Sequence, residues 1–198
     1  MKGLTILLFG CITFPVFAEN LLKNPNFSAN GNYMEGWTLT TMCDQVFDLT
    51  YNEKEKFVDL ESTGTEYSGY INQIVPVKPD RNYMLKVDIR LVKGRCLLWI
   101  VGLDRNKEQI GYQRTKWLSS FVGHSLVPNF IPSKYMNGSD KFEWCTEELI
   151  FFTKKPEKSK EELSFVKVNV GVYFSTGKIQ VRKIELIPLE GTKNQEVK

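Results

Sequence analysis

The sequence predicts an all-β fold, a two-sheet antiparallel β-sandwich of the jelly-roll kind. Three observations carry this: apolar residues recur with period two, turn residues interrupt them at short intervals, and no segment is helically amphipathic beyond a turn or two.

The clearest run places Tyr83, Leu85, Val87, Ile89 and Leu91 against Lys86, Asp88 and Arg90, which predicts a strand with one wet face. Cys96 to Leu103 is apolar at both parities. A strand tolerates that where both faces are covered or where one lines a groove, so this one is expected to be central. Glu147 to Thr153 is β-rich, and Phe165 to Phe174 sets Val166, Val168, Val170 and Val172 against Lys167, Asn169 and Gly171. Turn chemistry separates these runs at Pro79-Asp80-Arg81-Asn82, Lys93-Gly94, Asp104 to Lys107, Thr153 to Glu162 and Ser175 to Gly177. The last strand, Lys178 to Leu189, shifts its apolar phase at Arg182-Lys183, as a bulge or a crossing between sheets requires. Residues 191–198 hold no apolar anchor and are expected to be a frayed tail.

Residues 1–18 read as a signal peptide: Lys2, an apolar run from Leu4 to Phe17, then Val16-Phe17-Ala18 ahead of a cut before Glu19. The rival reading takes Leu8-Phe9-Gly10-Cys11 as a lipoprotein box with Cys11 lipidated. The short stretch before that cysteine and the apolar residues after it oppose this. No segment is long and apolar enough to predict a membrane span, and residues 19–190 are expected to form a single domain. The expected location is secreted or periplasmic/cell surface. Formal charge is +3 with both signs interspersed, which argues against a nucleic-acid partner and against binding to acidic lipid. Behind the leader stand Cys43, Cys96 and Cys145, an odd number, so at most one internal bridge forms. Cys96 lies in an apolar run and reads as a small core residue. That leaves Cys43 and Cys145 as the pair, with thiols as the alternative.

Three segments resemble the galactose-binding-like jelly rolls, in particular the carbohydrate-binding modules found beside bacterial xylanases and glucanases. The opening is Asn20-Leu-Leu-Lys-Asn-Pro-Asn-Phe27 with Gly36-Trp37, and the middle is Gln73-Ile-Val-Pro-Val-Lys-Pro79 leading to Tyr83. The ending is Trp144 to Thr153 with Gly177 to Leu186. The resemblance implies a non-catalytic, lectin-like domain that takes a polysaccharide or glycan. It also implies that Trp37, Trp144 and Tyr83 pack the structure. Members of the family hold a calcium ion with an acidic residue after the opening Phe and another in a closing Asp-Asp. Ser28 and Arg182-Lys183 stand there instead, so that metal site is expected to be absent.

For catalysis the residues offer little. His124 is the only histidine, and no nucleophile elbow, metal-ligand spacing, phosphate loop or nucleotide fingerprint is present, so neither an enzyme nor a cofactor is expected. Glu147-Glu148 and Glu161-Glu162 are adjacent carboxylates and read as surface residues. Sugar binding asks for flat rings flanked by groups that satisfy hydroxyls. The interval Tyr112 to Phe142 shows little alternation yet holds Tyr112, Arg114, Trp117, Phe121, His124, Phe130 and Tyr135. It is either a cover folded over one face or a ligand site. As a site, Trp117 stacks while Tyr112, Arg114 and His124 supply polar contacts. Trp99 is the strand-borne candidate for a platform, its alternative place being the core between the sheets. Two functions follow: an exported carbohydrate-binding protein, or a cell-envelope domain on the same fold that meets another envelope protein. A small secreted hydrolase ranks behind both.

Overall fold

The structure is a computed structural model describing residues 19–28, 31–119, 143–154 and 161–189. The expected leader with Cys11, the interval residues Phe121, His124, Phe130 and Tyr135, and the expected tail lie outside the described residues. The strands are β1 (Thr38–Thr41), β2 (Phe47–Asn52), β3 (Phe57–Ser62), β4 (Gly69–Pro76), β5 (Asn82–Lys93), β6 (Arg95–Leu103), β7 (Gln109–Ser119), β8 (Cys145–Phe152), β9 (Phe165–Val172) and β10 (Gly177–Leu189). A single 3-10 turn, Asp44–Val46, is the helical element among the described residues.

Two five-stranded antiparallel sheets result. Sheet A runs β1-β4-β9-β6-β7 and sheet B runs β2-β3-β10-β5-β8. Strand alternation decides which residues meet between them. Tyr83, Leu85, Val87, Ile89 and Leu91 of β5 face inward, as do Val166, Val168, Val170 and Val172 of β9, and all belong to one buried cluster. The phase shift at Arg182-Lys183 is a register shift of β10 against β5 between Val181 and Lys183, which keeps Ile179, Val181, Ile184 and Leu186 inside. The doubly apolar run is β6, paired on both sides by β9 and β7.

The opening segment explains why its motif is so specific. Asn20 Oδ1 accepts from the backbone N–H groups of Leu22 (3.1 Å) and Leu186 (2.9 Å), and Leu21 N–H donates to Leu186 O at 2.9 Å. Gln73 holds Lys23 from the other sheet, accepting from its N–H at 2.7 Å and donating to its carbonyl at 3.1 Å. Trp37 Nε1 donates to Asn24 O at 3.0 Å beside the ring of Phe27, which has no exposure. One short segment is thus bonded to β10 of sheet B and to β4 of sheet A.

Three expectations are corrected. The interval from Tyr112 begins as strand, because β7 is an edge strand whose residues from Gln113 to Lys116 are polar at both parities, which hides the period. Cys43 and Cys145 are not bridged; the Cys145 thiol donates to Glu147 Oε1 at 3.2 Å. Glu147 is not a surface residue: its parity turns it inward, while Glu148 is exposed. Lys116 Nζ reaches Glu147 Oε2 at 2.7 Å and Glu148 O at 3.0 Å. Since β7 ends sheet A and β8 ends sheet B, this pair clasps the two sheets along one open side. Tyr112 adds to the clasp, its hydroxyl donating to Phe152 O at 2.7 Å.

Truncating one partner of a buried ion pair strands the other. Lys116→Met is expected to lower unfolding free energy by about 3 kcal/mol in urea titrations, with most of that recovered in the Lys116→Met, Glu147→Leu double variant. Additive losses in the double variant would mean that the clasp is not a pair.

Candidate functional site

A two-sheet packing uses one face of each sheet, so any ring-bearing surface on a strand must be an outer face. Strand parity sorts the described candidates accordingly. Leu98 and Ile100 of β6 point between the sheets, and Trp99 points the other way, so the indole is not part of the inter-sheet core. On β7 Tyr112 and Leu118 are inside, which puts Trp117 on the outer face of sheet A. Register sets Trp99 opposite Thr115 and Leu97 opposite Trp117. The two indoles are therefore diagonal neighbours, about 7–8 Å apart at their backbones.

Tyr112 and Arg114 stand on the other side of β7 from Trp117. Tyr112 is 5% exposed and spends its hydroxyl on Phe152 O; burial raises its pKa to about 12. The Arg114 guanidinium lies over the Tyr112 ring, 4.8 Å from its centroid. Trp99 and Trp117 are brought to one face, then, while Tyr112 and Arg114 are turned from it.

The neighbours of the two indoles were not singled out from the sequence. One cross-strand row reads Thr40, Tyr70, Gly171, Leu97, Trp117 and the next reads Thr38, Asn72, Asn169, Trp99, Thr115. Tyr70 meets Trp99 edge-on at 5.8 Å, and Trp117 meets Tyr173 edge-on at 4.5 Å. Asn72 Nδ2 donates to Thr38 O and Thr40 Oγ1, both at 2.9 Å, and Asn169 Nδ2 donates to Trp99 O at 3.1 Å. Both side chains are buried, Asn72 5% and Asn169 2% exposed, and these bonds fix their amide orientation. Gly171 makes the row possible, since a Cβ there would lie 2.0 Å from Gly69 O and 2.7 Å from the Tyr70 ring. The signal that could have found these residues is parity: once β9 is read as a strand, Asn169 and Gly171 share the face opposite the valines.

A cavity of about 420 Å³ lies elsewhere, lined by Ser28, Tyr33, Tyr51, Glu53 and Lys56 near the β2–β3 turn. Its two tyrosine rings stack on each other at 5.0 Å and Lys56 sits 6.0 Å from Tyr51, so one face of each ring is already taken. The outer face of sheet A has the better chemistry for a planar, hydroxylated ligand. Trp37 and Trp144 are both engaged, Trp37 in the core and Trp144 against Phe57 with Arg90 and Arg182 over its ring. Among the described residues no cluster of His, Cys, Asp and Glu could hold a metal, and no helix is long and apolar enough to cross a membrane.

No protein-family model and no curated protein matches the sequence. Solved structures do. The bacteriophage CBA120 tailspike protein 4 enzymatically active domain aligns at TM-score 0.59 and 13% identity, over 86% of this chain and 21% of the tailspike chain. A family 4 carbohydrate-binding module aligns at TM-score 0.50 and 11% identity, and a family 16 carbohydrate-binding module at 0.50 and 17%, each over 85% of this chain and 99% of its own. The fold is that of the carbohydrate-binding modules. This chain spans about a fifth of the tailspike domain's length, and identities this low speak for architecture alone.

Two outcomes follow from the outer face. Gly171→Ala is expected to cost about 1–3 kcal/mol in thermal or urea unfolding, because backbone rather than a flexible side chain blocks the added methyl. Burial raises Tyr70 to about 12 from 10.0, so it ionises later in the folded chain than in the unfolded one. Stability is then complete below pH 10 and falls as pH rises toward 12. A spectrophotometric titration of wild type against Tyr70→Phe should lose one late-ionising tyrosine.

Proposed function

We propose that this protein is a secreted, non-catalytic carbohydrate-binding protein whose ligand lies across the outer face of sheet A. The observation that carries the reading is the placement of Trp99 and Trp117 as diagonal neighbours on one face, bordered by Asn72, Asn169, Thr115 and Gln113. Half-buried indoles offer apolar area at little entropic cost, and the edge-on contacts with Tyr70 and Tyr173 hold them in place before a ligand arrives. Amide and hydroxyl groups alongside match the alternating apolar faces and hydroxyl rims of a pyranose chain. The family 4 and family 16 modules are carbohydrate-binding modules on the same architecture, which supports this use of the fold. Binding works through stacking and hydrogen bonds and calls for no bond-making step. Export follows from the apolar leader ahead of Glu19.

A glycan-array screen followed by calorimetry tests this. At least one polysaccharide class should bind, quench Trp fluorescence, and lose tenfold or more in affinity in Trp117→Ala and Trp99→Ala, while Arg114→Ala on the opposite side of β7 changes affinity less than twofold. Absence of binding across the array, with an envelope protein captured through the same face, would replace this reading with the protein-docking one.

A further inference from the structure

Charge is divided between the two sheets. The strands of sheet A contain no Asp or Glu at all, whereas sheet B carries Asp48, Asp59, Glu61, Asp88, Glu148 and Glu185 besides the inward Glu147. On sheet B cations meet those acids: Lys178 reaches Asp59 at 3.1 Å and Glu61 at 2.8 Å, and Lys183 reaches Glu185 at 2.8 Å. On the outer face of sheet A two cations, Arg95 and Lys167, make no ion pair among the described residues. The sheet's other two, Arg114 and Lys116, lie on the far side of β7, and Lys116 is engaged by Glu147.

Register fixes where the two cations stand. Arg95 precedes the Leu97–Trp117 row, and Lys167 follows the Asn169–Trp99 row, opposite Val101. From the Arg95 row to the Val101 row is six residues, about 20 Å along the strand at roughly 3.3 Å each. The order along the face is cation, indole, indole, cation. Arg95 Nη2 donates to Phe174 O at 3.1 Å, and its buried Nε has no acceptor, nor has the buried Nε1 of Trp99. Burial holds the Lys167 ammonium below its ordinary pKa, and no carboxylate opposes the shift. The face thus carries two cations with no anionic partner among the described residues. A neutral ligand laid over it offers Lys167 only hydroxyl and carbonyl acceptors in exchange for water, whereas a carboxylate returns a stronger, charge-assisted hydrogen bond.

We propose that the outer face of sheet A selects a carboxylate-bearing polysaccharide, uronic acid rings stacking on Trp117 and Trp99 while Arg95 and Lys167 receive the carboxylates. This rests on the glycan reading of the same face.

The test is calorimetry on the full chain with oligogalacturonate and alginate oligosaccharides, the methyl ester of oligogalacturonate, neutral xylo-oligosaccharides and dextran sulfate. At least one uronate should bind tenfold or more tighter than the ester and weaken as salt rises. Arg95→Gln and Lys167→Gln should each lower uronate affinity about fivefold to tenfold with ester binding unchanged, and Arg95→Lys should keep more of it than Arg95→Gln. Circular dichroism and unfolding midpoints establish that each variant is folded; a variant that fails is replaced by the salt dependence of the wild type. Equal affinity for acid and ester, both lost in Trp117→Ala, would overturn the uronate proposal and leave the glycan reading standing. Failure of every saccharide would overturn both. Dextran sulfate binding as tightly as the uronates, untouched by Trp117→Ala, would reduce the face to a general anion attractor and overturn the proposal.

Discussion

The constraint on which the rest depends is the dry seam between the sheets. Leu85, Val87 and Ile89 of β5, Ile179, Val181, Ile184 and Leu186 of β10, Leu98 and Ile100 of β6 and the valines of β9 form one buried cluster, with most of these side chains wholly removed from water. That burial is the dominant favourable contribution to the fold, and it fixes register, because a slip of one residue would turn every inward side chain outward. The bulge in β10 shows the constraint acting: two cations in succession, Arg182 and Lys183, are accommodated by an extra residue rather than by burying either one. Arg182 ends against the Trp144 ring at 3.9 Å and Lys183 beside Glu185. Where the resemblance places a calcium-binding pair of acids, these cations are held by sheet B itself.

A seam of aliphatic side chains packs two sheets without specifying how their margins meet. Directional contacts do that here. On one side Lys116, Glu147 and Tyr112 join the edge strands β7 and β8. Elsewhere the opening segment bonds through Asn20 to β10 and through Lys23 to Gln73 of β4. Each uses groups whose desolvation would cost more than the net worth of the bond if left unpaired. These contacts define one alignment of the sheets, and with it one outer face.

How much of this is legible in the sequence depends on the physical origin of each signal. Where burial is one-sided, as from Tyr83 to Leu91 or Val166 to Val172, alternation states both strand and inward parity. Where burial is two-sided, as in β6, both parities are apolar, and nothing in the residues tells whether Leu98 or Trp99 faces the partner sheet. Long-range pairing decides that. β7 fails for the opposite reason: an edge strand with polar residues at both parities has no period to read, although its residue spacing already implied that Tyr112 and Trp117 point apart once it was known to be a strand. The opening motif was legible because its residues are held by specific bonds. The partners of the indoles were not, since Asn169 and Gly171 look like the wet side of an ordinary strand.

The same logic bears on whether the rings of sheet A are a site or a cover. Sheet B finishes its outer face with internal pairings: opposite charges in adjacent strands, Gln180 linking Arg90 to Asp59, and a tryptophan closed between arginines. Asp59 Oδ1 is without a partner there, but its other oxygen is held by Lys178 and Gln180. Sheet A ends differently: among the described residues no acid answers Arg95 or Lys167, and the buried Nε of Arg95 and Nε1 of Trp99 have no acceptor. Each such buried donor costs about 1–3 kcal/mol, a sizeable share of the 5–15 kcal/mol that holds a domain together. A cover needs rings alone and is destabilised by such donors. The proposal of an acidic ligand therefore leans on the unanswered cations of this face more than on its aromatic rings.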